Sequence, residues 1–454
     1  MVKVENIILI TVDCLRADFV GCLGSECNLT PNIDEFSRKG VLFTQAIVNG
    51  PSTPFSFPSI FASTYPLVDP NFPKLSRFRI TLAEILKRSN FKTAGFNSNP
   101  YLSKYYNYDI GFTFFDDIFS ENKELKQKGL KGLIKKYRKL FSFLKKLYKR
   151  IRIKYKIKPP YQCAEKINKK ALSWLKTNKG KKFVWMHYMD SHHPFLPPKK
   201  YRTTNNHKMY KAEKILKKNP PNVSQKNLTN IKSQYKATIK YLDNKLGDFF
   251  VELRTLDLLD NTLIIITADH GEEFKEHGDF SHNSKLYEEL IHVPLIIVGP
   301  NLPSNVIIED LVSLIDLAPT IIDYLTLSKI EDFMGISFIP LIRRQKENTY
   351  REGVFSESLI KEGKVCLSYK EGFRLISYRT KNWKLIINEE QNTKELYNLI
   401  IDPLEKNNLY YQKLELARNY ERKISNHIEL EKKIKKELIE RNKLARITRT
   451  IALN

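Results

Sequence analysis

Three apolar runs of this chain each end in residues able to do chemistry. IILITVD closes on Asp13, KKFVWMHYMD on His187 and Asp190, and NTLIIITADH on Asp269 and His270. Such runs read as strands, and helical patterns alternate with them. TPNIDEFSRKG reads as a helix capped by Thr30 with Pro31 as its first residue. GVLFTQAIV, FKTAGF and VPLIIVGP are further strand candidates, while TLAEILKRSN and LIDLAPTIIDYL are helical. The alternation predicts an α/β fold with a mostly parallel central sheet flanked by helices. Ligands of such sheets collect beyond the carboxyl ends of the strands. Asp13, His187, Asp190, Asp269 and His270 are therefore expected around one crevice.

At 454 residues the chain is long enough for two or three compact units. The strand–helix alternation defines an α/β unit over residues 1–345. Beyond it, VFSES, FRLISYRT and NWKLIIN are short β-type segments of a small C-terminal α+β, β-rich subdomain, residues 346–410. Residues 411–454 read as a charged helical tail, solvated or packed on its neighbours. One stretch stands apart. Between 121 and 160 there are 16 Lys and Arg against Glu121 and Glu124, more than half of the net charge of +26. Leu130, Leu133, Ile134, Tyr137, Phe141, Leu144, Tyr148 and Ile151 recur at three- and four-residue spacing, which makes it a basic amphipathic helix. Two readings stand level: a helix on an anionic membrane surface, and a solvated helix packed by its apolar stripe. Nucleic acid ranks below both, because the aromatics lie on the apolar stripe.

No run approaches the ~20 apolar residues of a transmembrane helix, and IILITV is too short for a signal h-region. Five cysteines, Cys14, Cys22, Cys27, Cys163 and Cys366, are odd in number and scattered, unlike a disulfide framework or a zinc ribbon. The expected setting is the cytoplasm, peripheral at the membrane if the basic helix binds there.

Seven of the nine histidines fall in two segments. His187, His192 and His193 lie in HYMDSHHPFLPP; His270, His277, His282 and His292 lie in ADHGEEFKEHGDFSHNSKLYEELIH. Imidazole and carboxylate at strand ends are donors for a divalent ion, so Asp13, Asp269 and His270 are the candidate ligands. His277 is divided between a supporting role at the site and a solvent one, His292 reads as structural, and Arg16 and Asp18 read as a local pair. Asn97 and Asn99, in GFNSNP after a strand, can face the crevice and carry no assigned role. In NGPSTPFSFPSIFAS, Thr53 before Pro54 reads as a helix N-cap. The same position suits a nucleophile at the positive end of a helix dipole. The stretch by itself leaves both open.

Taken in order, NIILITVDCLRAD, TPNIDEFSRKGVLFTQAIV, IFASTYP, HHPFLPP, YLDNKLGDFFVEL, TADHGEEFKEHGD, LYEELIHVPLII, LVSLIDLAPTIIDYL and ELYNLIIDPLEKNNL resemble the sulfatase family of the alkaline phosphatase superfamily, from Asn6 to about Leu409. The resemblance implies a metal-dependent hydrolase of sulfate or phosphate esters. It maps metal ligands onto Asp13, Asp269 and His270, and the nucleophile, itself in contact with the metal, onto Thr53. The histidine of the family's PHxP-like element maps onto His192. His282 and Lys285 fall where the family often places residues facing the substrate's anionic group.

Two departures matter. Typical sulfatases carry a C-x-P-S-R motif whose Cys or Ser becomes formylglycine; here TPFSF stands in its place, and Thr53 cannot be converted. Cys14 replaces the second aspartate usual after the first. The set resembles instead the phosphodiesterase and phosphoglycerol-transferase branch. Its imidazole favours Mn²⁺ or Zn²⁺, with Ca²⁺ and Mg²⁺ as alternatives. The implied chemistry is in-line attack by Thr53 and a covalent phospho- or sulfo-threonine, with Lys285 and His192 or His282 stabilising the anion or protonating the leaving group. Release to an alcohol instead of water would make the protein a phosphoglycerol- or phosphoethanolamine-type transferase. A catalytically weak sulfatase-fold protein that holds anionic lipid or glycan is the other alternative. The expected partner is an anionic ester, glycan- or lipid-linked in the widest reading.

Overall fold

A computed structural model describes residues 4–117, 161–205, 208, 223–282, 284–344 and 350–451, and the basic stretch at 121–160 lies outside the described residues. The apolar runs form one eight-stranded sheet. In chain order its strands are β1 (Asn6–Val12), β2 (Val41–Ile47), β3 (Lys92–Asn97), β4 (Phe114–Asp117), β5 (Lys182–Tyr188) and β6 (Thr262–Ala268). A two-stranded hairpin follows, β7 (Glu273–Phe274) and β8 (Phe280–Ser281), before β9 (His292–Val298) and β10 (Val306–Ser313) complete the sheet. The spatial order is β10-β2-β9-β6-β1-β5-β3-β4. All neighbours are parallel except β9, which runs antiparallel to β2 and β6 because the chain returns from the carboxyl end of β6 without a crossover.

Every residue of β1, β5 and β6 is buried, as expected for central strands covered on both faces. Nine helices among the described residues flank or extend this frame: α1 (Pro31–Ser37), α2 (Thr53–Ala62), α3 (Leu82–Arg88), α4 (Ala164–Thr177), α5 (Gln225–Thr255), α6 (Glu288–Ile291), α7 (Leu317–Tyr324), α8 (Ile339–Ile342) and α9 (Leu414–Ile451). Phe36 of α1 stacks on Phe250 of α5 with ring centroids 4.0 Å apart. Phe57 and Phe61 of α2 meet Trp185 of β5 edge-on at 5.7 and 4.8 Å. Among the described residues, no helix is long and apolar enough to cross a membrane.

Two helix starts differ from the sequence expectation. The N-cap of α2 is Ser52, and Thr53 is the first helical residue. The Thr53 hydroxyl donates to a carboxylate just past the carboxyl end of β6, so it does not serve as an amide cap. Thr30 holds the cap position of α1, yet its hydroxyl accepts from the Gly21 amide and donates to Asp34. Strands β4 and β10 were not expected either. β4 is only four residues, and β10 interrupts its apolar run with Glu309 and Asp310 at a register shift against β2.

A second, five-stranded antiparallel sheet follows, ordered β12-β11-β13-β14-β15. Its strands are β11 (Val354–Lys361), β12 (Lys364–Val365), β13 (Phe373–Arg379), β14 (Trp383–Asn388) and β15 (Thr393–Asn398). Asn49, just before α2, joins the two sheets: its carbonyl accepts from the Glu357 amide at 3.0 Å and its side chain donates to the Phe355 carbonyl at 2.9 Å. Helix α9 lays Ala417, Tyr420 and Ile424 against Tyr378, Leu385 and Leu396 of the small sheet. The tail is thus a packing helix along this face.

Candidate active site and metal centre

Val12 of β1 is in register with Ala268 of β6, so Asp13 and Asp269 leave the sheet side by side. Asp13, Asp269 and His270 are fully buried, and one ligand atom from each lies within 4.8 Å of the others. His270 Nδ1 sits 2.9 Å from the Gly271 carbonyl oxygen, which places its proton there and leaves Nε2 as the donor atom facing the cluster. Nε2 stands 3.6 Å from Asp13 Oδ1 and from Asp269 Oδ2. Glycine is required at 271, where a Cβ would meet the Glu289 carbonyl oxygen at 1.9 Å.

Thr53 enters this cluster from the first turn of α2, whose ten residues are all buried. Its Oγ1 donates to Asp269 Oδ2 at 2.9 Å and lies 3.5 Å from His270 Nε2. Four expected residues, Asp13, Thr53, Asp269 and His270, are therefore brought together. His192 and His282 stand beside them, with the His282 ring 4.5 Å from that of His270 and 5.3 Å from that of His192. Lys285 is placed otherwise: its Nζ is 3.1 Å from Glu273 and 3.3 Å from Asp279, and it donates to the His277 carbonyl. His277 pairs with Glu289 at 2.6 Å and stacks on Tyr287, and His292 lies 2.9 Å from the Thr44 carbonyl. Both brace the framework. The expected Arg16–Asp18 pair is present, at 2.6 Å.

Two residues take positions that the sequence left unassigned. Asn99 Oδ1 accepts from the Tyr101 amide, which turns its NH₂ toward the site. Nδ2 then donates to Asp13 Oδ2 at 2.8 Å and to Thr53 Oγ1 at 3.2 Å. His187 reaches Asp13 Oδ2 with Nε2 at 3.3 Å, and its Nδ1 is held 2.9 Å from Thr11 Oγ1. The signal available in the sequence was a polar residue at a strand's carboxyl end, which gives location and not partner.

The electrostatics separate the two carboxylates. Burial works to raise the Asp13 carboxyl, but the facing His192 and His270 imidazoles and the His187 contact hold it well below the usual range. Burial and the Asp13 charge push Asp269 well above it. Burial and the neighbouring His282 lower His270 to about 3, so its imidazole is neutral and available as a ligand. Asp269 Oδ1 is buried without a hydrogen-bond partner. Two carboxylates and a neutral imidazole with ligand atoms within 4.8 Å of one another, one of the carboxylates carrying a buried oxygen without a partner, fit a divalent cation.

The family profile described as Sulfatase matches residues 5–327. The chain belongs to the sulfatase family. A second profile, N-sulphoglucosamine sulphohydrolase, C-terminal, matches residues 275–437. Arylsulfatase K of Canis lupus familiaris is 31% identical over 182 residues, 39% of this chain and 33% of that protein. Arylsulfatase K of Homo sapiens is 30% identical over 164 residues, 36% of this chain and 30% of that protein. The match thus spans about a third of the length of these curated relatives. Among solved structures, a phosphonate monoester hydrolase of Agrobacterium radiobacter superposes with a TM-score of 0.72 at 19% identity, covering 94% of this chain and 96% of that one. A protein solved with its substrate D-glucosamine-2-N,6-O-disulfate superposes with a TM-score of 0.71 at 17% identity, covering 96% and 99%. At these identities the likeness is one of fold. Members of the sulfatase family generally depend on a divalent metal.

Proposed function

We propose that this chain is a metal-dependent hydrolase of sulfate or phosphate esters with Thr53 Oγ1 as nucleophile. The observation that carries the reading is the buried Thr53 hydroxyl at the start of α2, 2.9 Å from Asp269 and 3.2 Å from Asn99. Asp269 Oδ2 holds the hydroxyl hydrogen and so aims the free lone pairs of Oγ1 away from itself. Asn99 Nδ2 donates to Oγ1 and steadies negative charge there. The amino end of α2 favours the anionic ester. When bound, a divalent ion supplies Lewis-acid charge for the ester oxygens, and a donor set containing imidazole favours Mn²⁺ or Zn²⁺.

As Oγ1 attacks sulfur or phosphorus in line, its proton passes to Asp269 Oδ2, 2.9 Å away, the bond to the ester oxygen breaks, and a covalent sulfo- or phospho-threonine forms. His282 is the acid for the leaving oxygen: burial opposes its charge, but Glu272 at 3.3 Å outweighs burial and raises its pKa. Burial lowers His192, which stands beside it as a neutral imidazole. Water then attacks the sulfur or phosphorus, giving a proton back to His282, the bond to Oγ1 breaks, and Asp269 returns its proton to Oγ1.

The test is turnover of aryl sulfate, phosphate monoester, phosphate diester, phosphonate monoester and sulfated glucosamine by the metal-loaded protein. Cleavage of at least one is expected, with Thr53→Ala slower by about 10³-fold or more. Undiminished metal-dependent cleavage by Thr53→Ala would overturn the nucleophile, and absence of turnover with bound metal would favour the binding-protein alternative.

A further inference from the structure

We propose that Cys14 is itself a ligand of the cation held by Asp13, Asp269 and His270, giving a mixed sulfur, nitrogen and oxygen centre that selects a thiophilic ion such as Zn²⁺ over Ca²⁺. The inference rests on the metal-dependent reading above and concerns which donors complete the centre. Cys14 is fully buried directly after Asp13, with Sγ 3.0 Å from Asp13 Oδ1 and 3.5 Å from His282 Nδ1. Its ligand atom groups with those of His270 and His282 within 4.8 Å, and with those of Asp13 and His192 within the same limit. The donors of this patch thus overlap with the oxygen-rich cluster through Asp13 and His270.

A second observation supports a cation here. Asp269 Oδ1 and Glu272 Oε1 are both on fully buried residues and have no hydrogen-bond partner. Glu272 Oε2 is the atom that faces His282 at 3.3 Å, so its other oxygen is left on the same side chain without a donor. A thiol is a weak hydrogen-bond donor and cannot satisfy both carboxylates. A cation satisfies Asp269 directly and draws the surrounding acceptors together.

The choice of ion follows from donor chemistry. Ca²⁺ takes about six to eight oxygen ligands. A thiolate beside imidazole and carboxylate suits zinc and other borderline or soft ions. Sulfatases usually carry an aspartate where this chain has Cys14, so one substitution exchanges a hard donor for a soft one.

The test uses the full-length chain, stripped with a chelator and titrated with Co²⁺. Expected is about one equivalent bound, with visible d–d bands and a near-ultraviolet sulfur-to-cobalt charge-transfer band that disappears in Cys14→Ser. X-ray absorption of the zinc-loaded native protein should show a sulfur scatterer at about 2.3 Å, a readout that needs no variant. In competition, Zn²⁺ should displace Co²⁺ far better than Ca²⁺ does, and Cys14→Asp should narrow that preference by about tenfold or more. A bound ion with only nitrogen and oxygen scatterers, or a charge-transfer band that persists in Cys14→Ser, overturns the Cys14 assignment and leaves the Asp13, Asp269 and His270 site standing. Failure of Co²⁺, Zn²⁺ and Ca²⁺ alike to bind removes both.

Discussion

Asn99 shows how much of the site is decided one side chain at a time. Its Oδ1 is occupied by the Tyr101 amide, and the amide group it turns inward touches both Asp13 and Thr53. Asn99→Ala leaves Thr53 Oγ1 without its donor, so kcat on a cleaved ester should fall by about 10²-fold. Steady-state kinetics with the metal-loaded variant checks this, and an unchanged kcat would remove Asn99 from the mechanism. Asp190 makes a different prediction. Burial pushes its carboxyl up to about 7, and Oδ2 has no partner. The unfolded value is about 3.9, so the folded chain keeps a proton there between roughly pH 4 and pH 7. Stability from this group is present at the acid end and is lost as pH rises through the native value. Asp190→Asn should therefore be near neutral at about pH 4 and stabilising by roughly 2–4 kcal/mol at about pH 8. Denaturant titrations at the two pH values read the difference, and equal effects at both would show that Asp190 ionises normally.

At the scale of elements, the expectations that held share one cause. Runs such as IILITV and TLIIITA are apolar without interruption because β1 and β6 are buried on both faces, and that pattern is strong even when read alone. TLAEILKR, read as helical, forms α3, and the structure adds a capping box in which Thr81 accepts from the Glu84 amide and Glu84 accepts from the Thr81 amide. By contrast, β10 carries Glu309 and Asp310 in mid-run, and α2 is buried on every side, so neither has the periodicity of a half-exposed element. In α9 the spacing of Ala417, Tyr420 and Ile424 is helical, but only the partner sheet says that this face is covered. Tyr420 sits 5.0 Å from the Tyr378 ring and shares a hydrogen bond with Thr380. Tyr420→Ala should cost about 3 kcal/mol, whereas Tyr411→Ala, 82% exposed, should stay within about 0.5 kcal/mol. Denaturation midpoints distinguish them, and equal small losses would mean that α9 contributes little to the stability of the small sheet.

For the whole molecule, the candidate metal centre links parts distant in sequence: Asp13 after β1, Thr53 from α2, Asn99 after β3, and Asp269 and His270 after β6. A cation bound only by the folded arrangement stabilises the chain by mass action, about 2.7 kcal/mol at a hundred times its Kd. Thermal unfolding with added Mn²⁺ or Zn²⁺ should move upward and return on chelation, and Asp269→Asn should lose most of the response. An equal response in that variant would place the stabilising ion elsewhere. The sequence by itself determined the α/β class, the strand ends at which the chemistry lies, the sulfatase resemblance and the identity of Asp13, Thr53, Asp269 and His270 as candidates. These are legible because strand periodicity and local motif are properties of neighbouring residues. Only the tertiary structure decided that Asn99 and His187 converge on Asp13, that Thr53 gives its hydroxyl to Asp269 and not to a helix amide, and that Cys14 faces His282. Each is a contact across a large separation in the chain, brought about by the pairing of β1 with β5 and β6 and of β3 with β5, and by the packing of α2 on β5, and no local pattern encodes it.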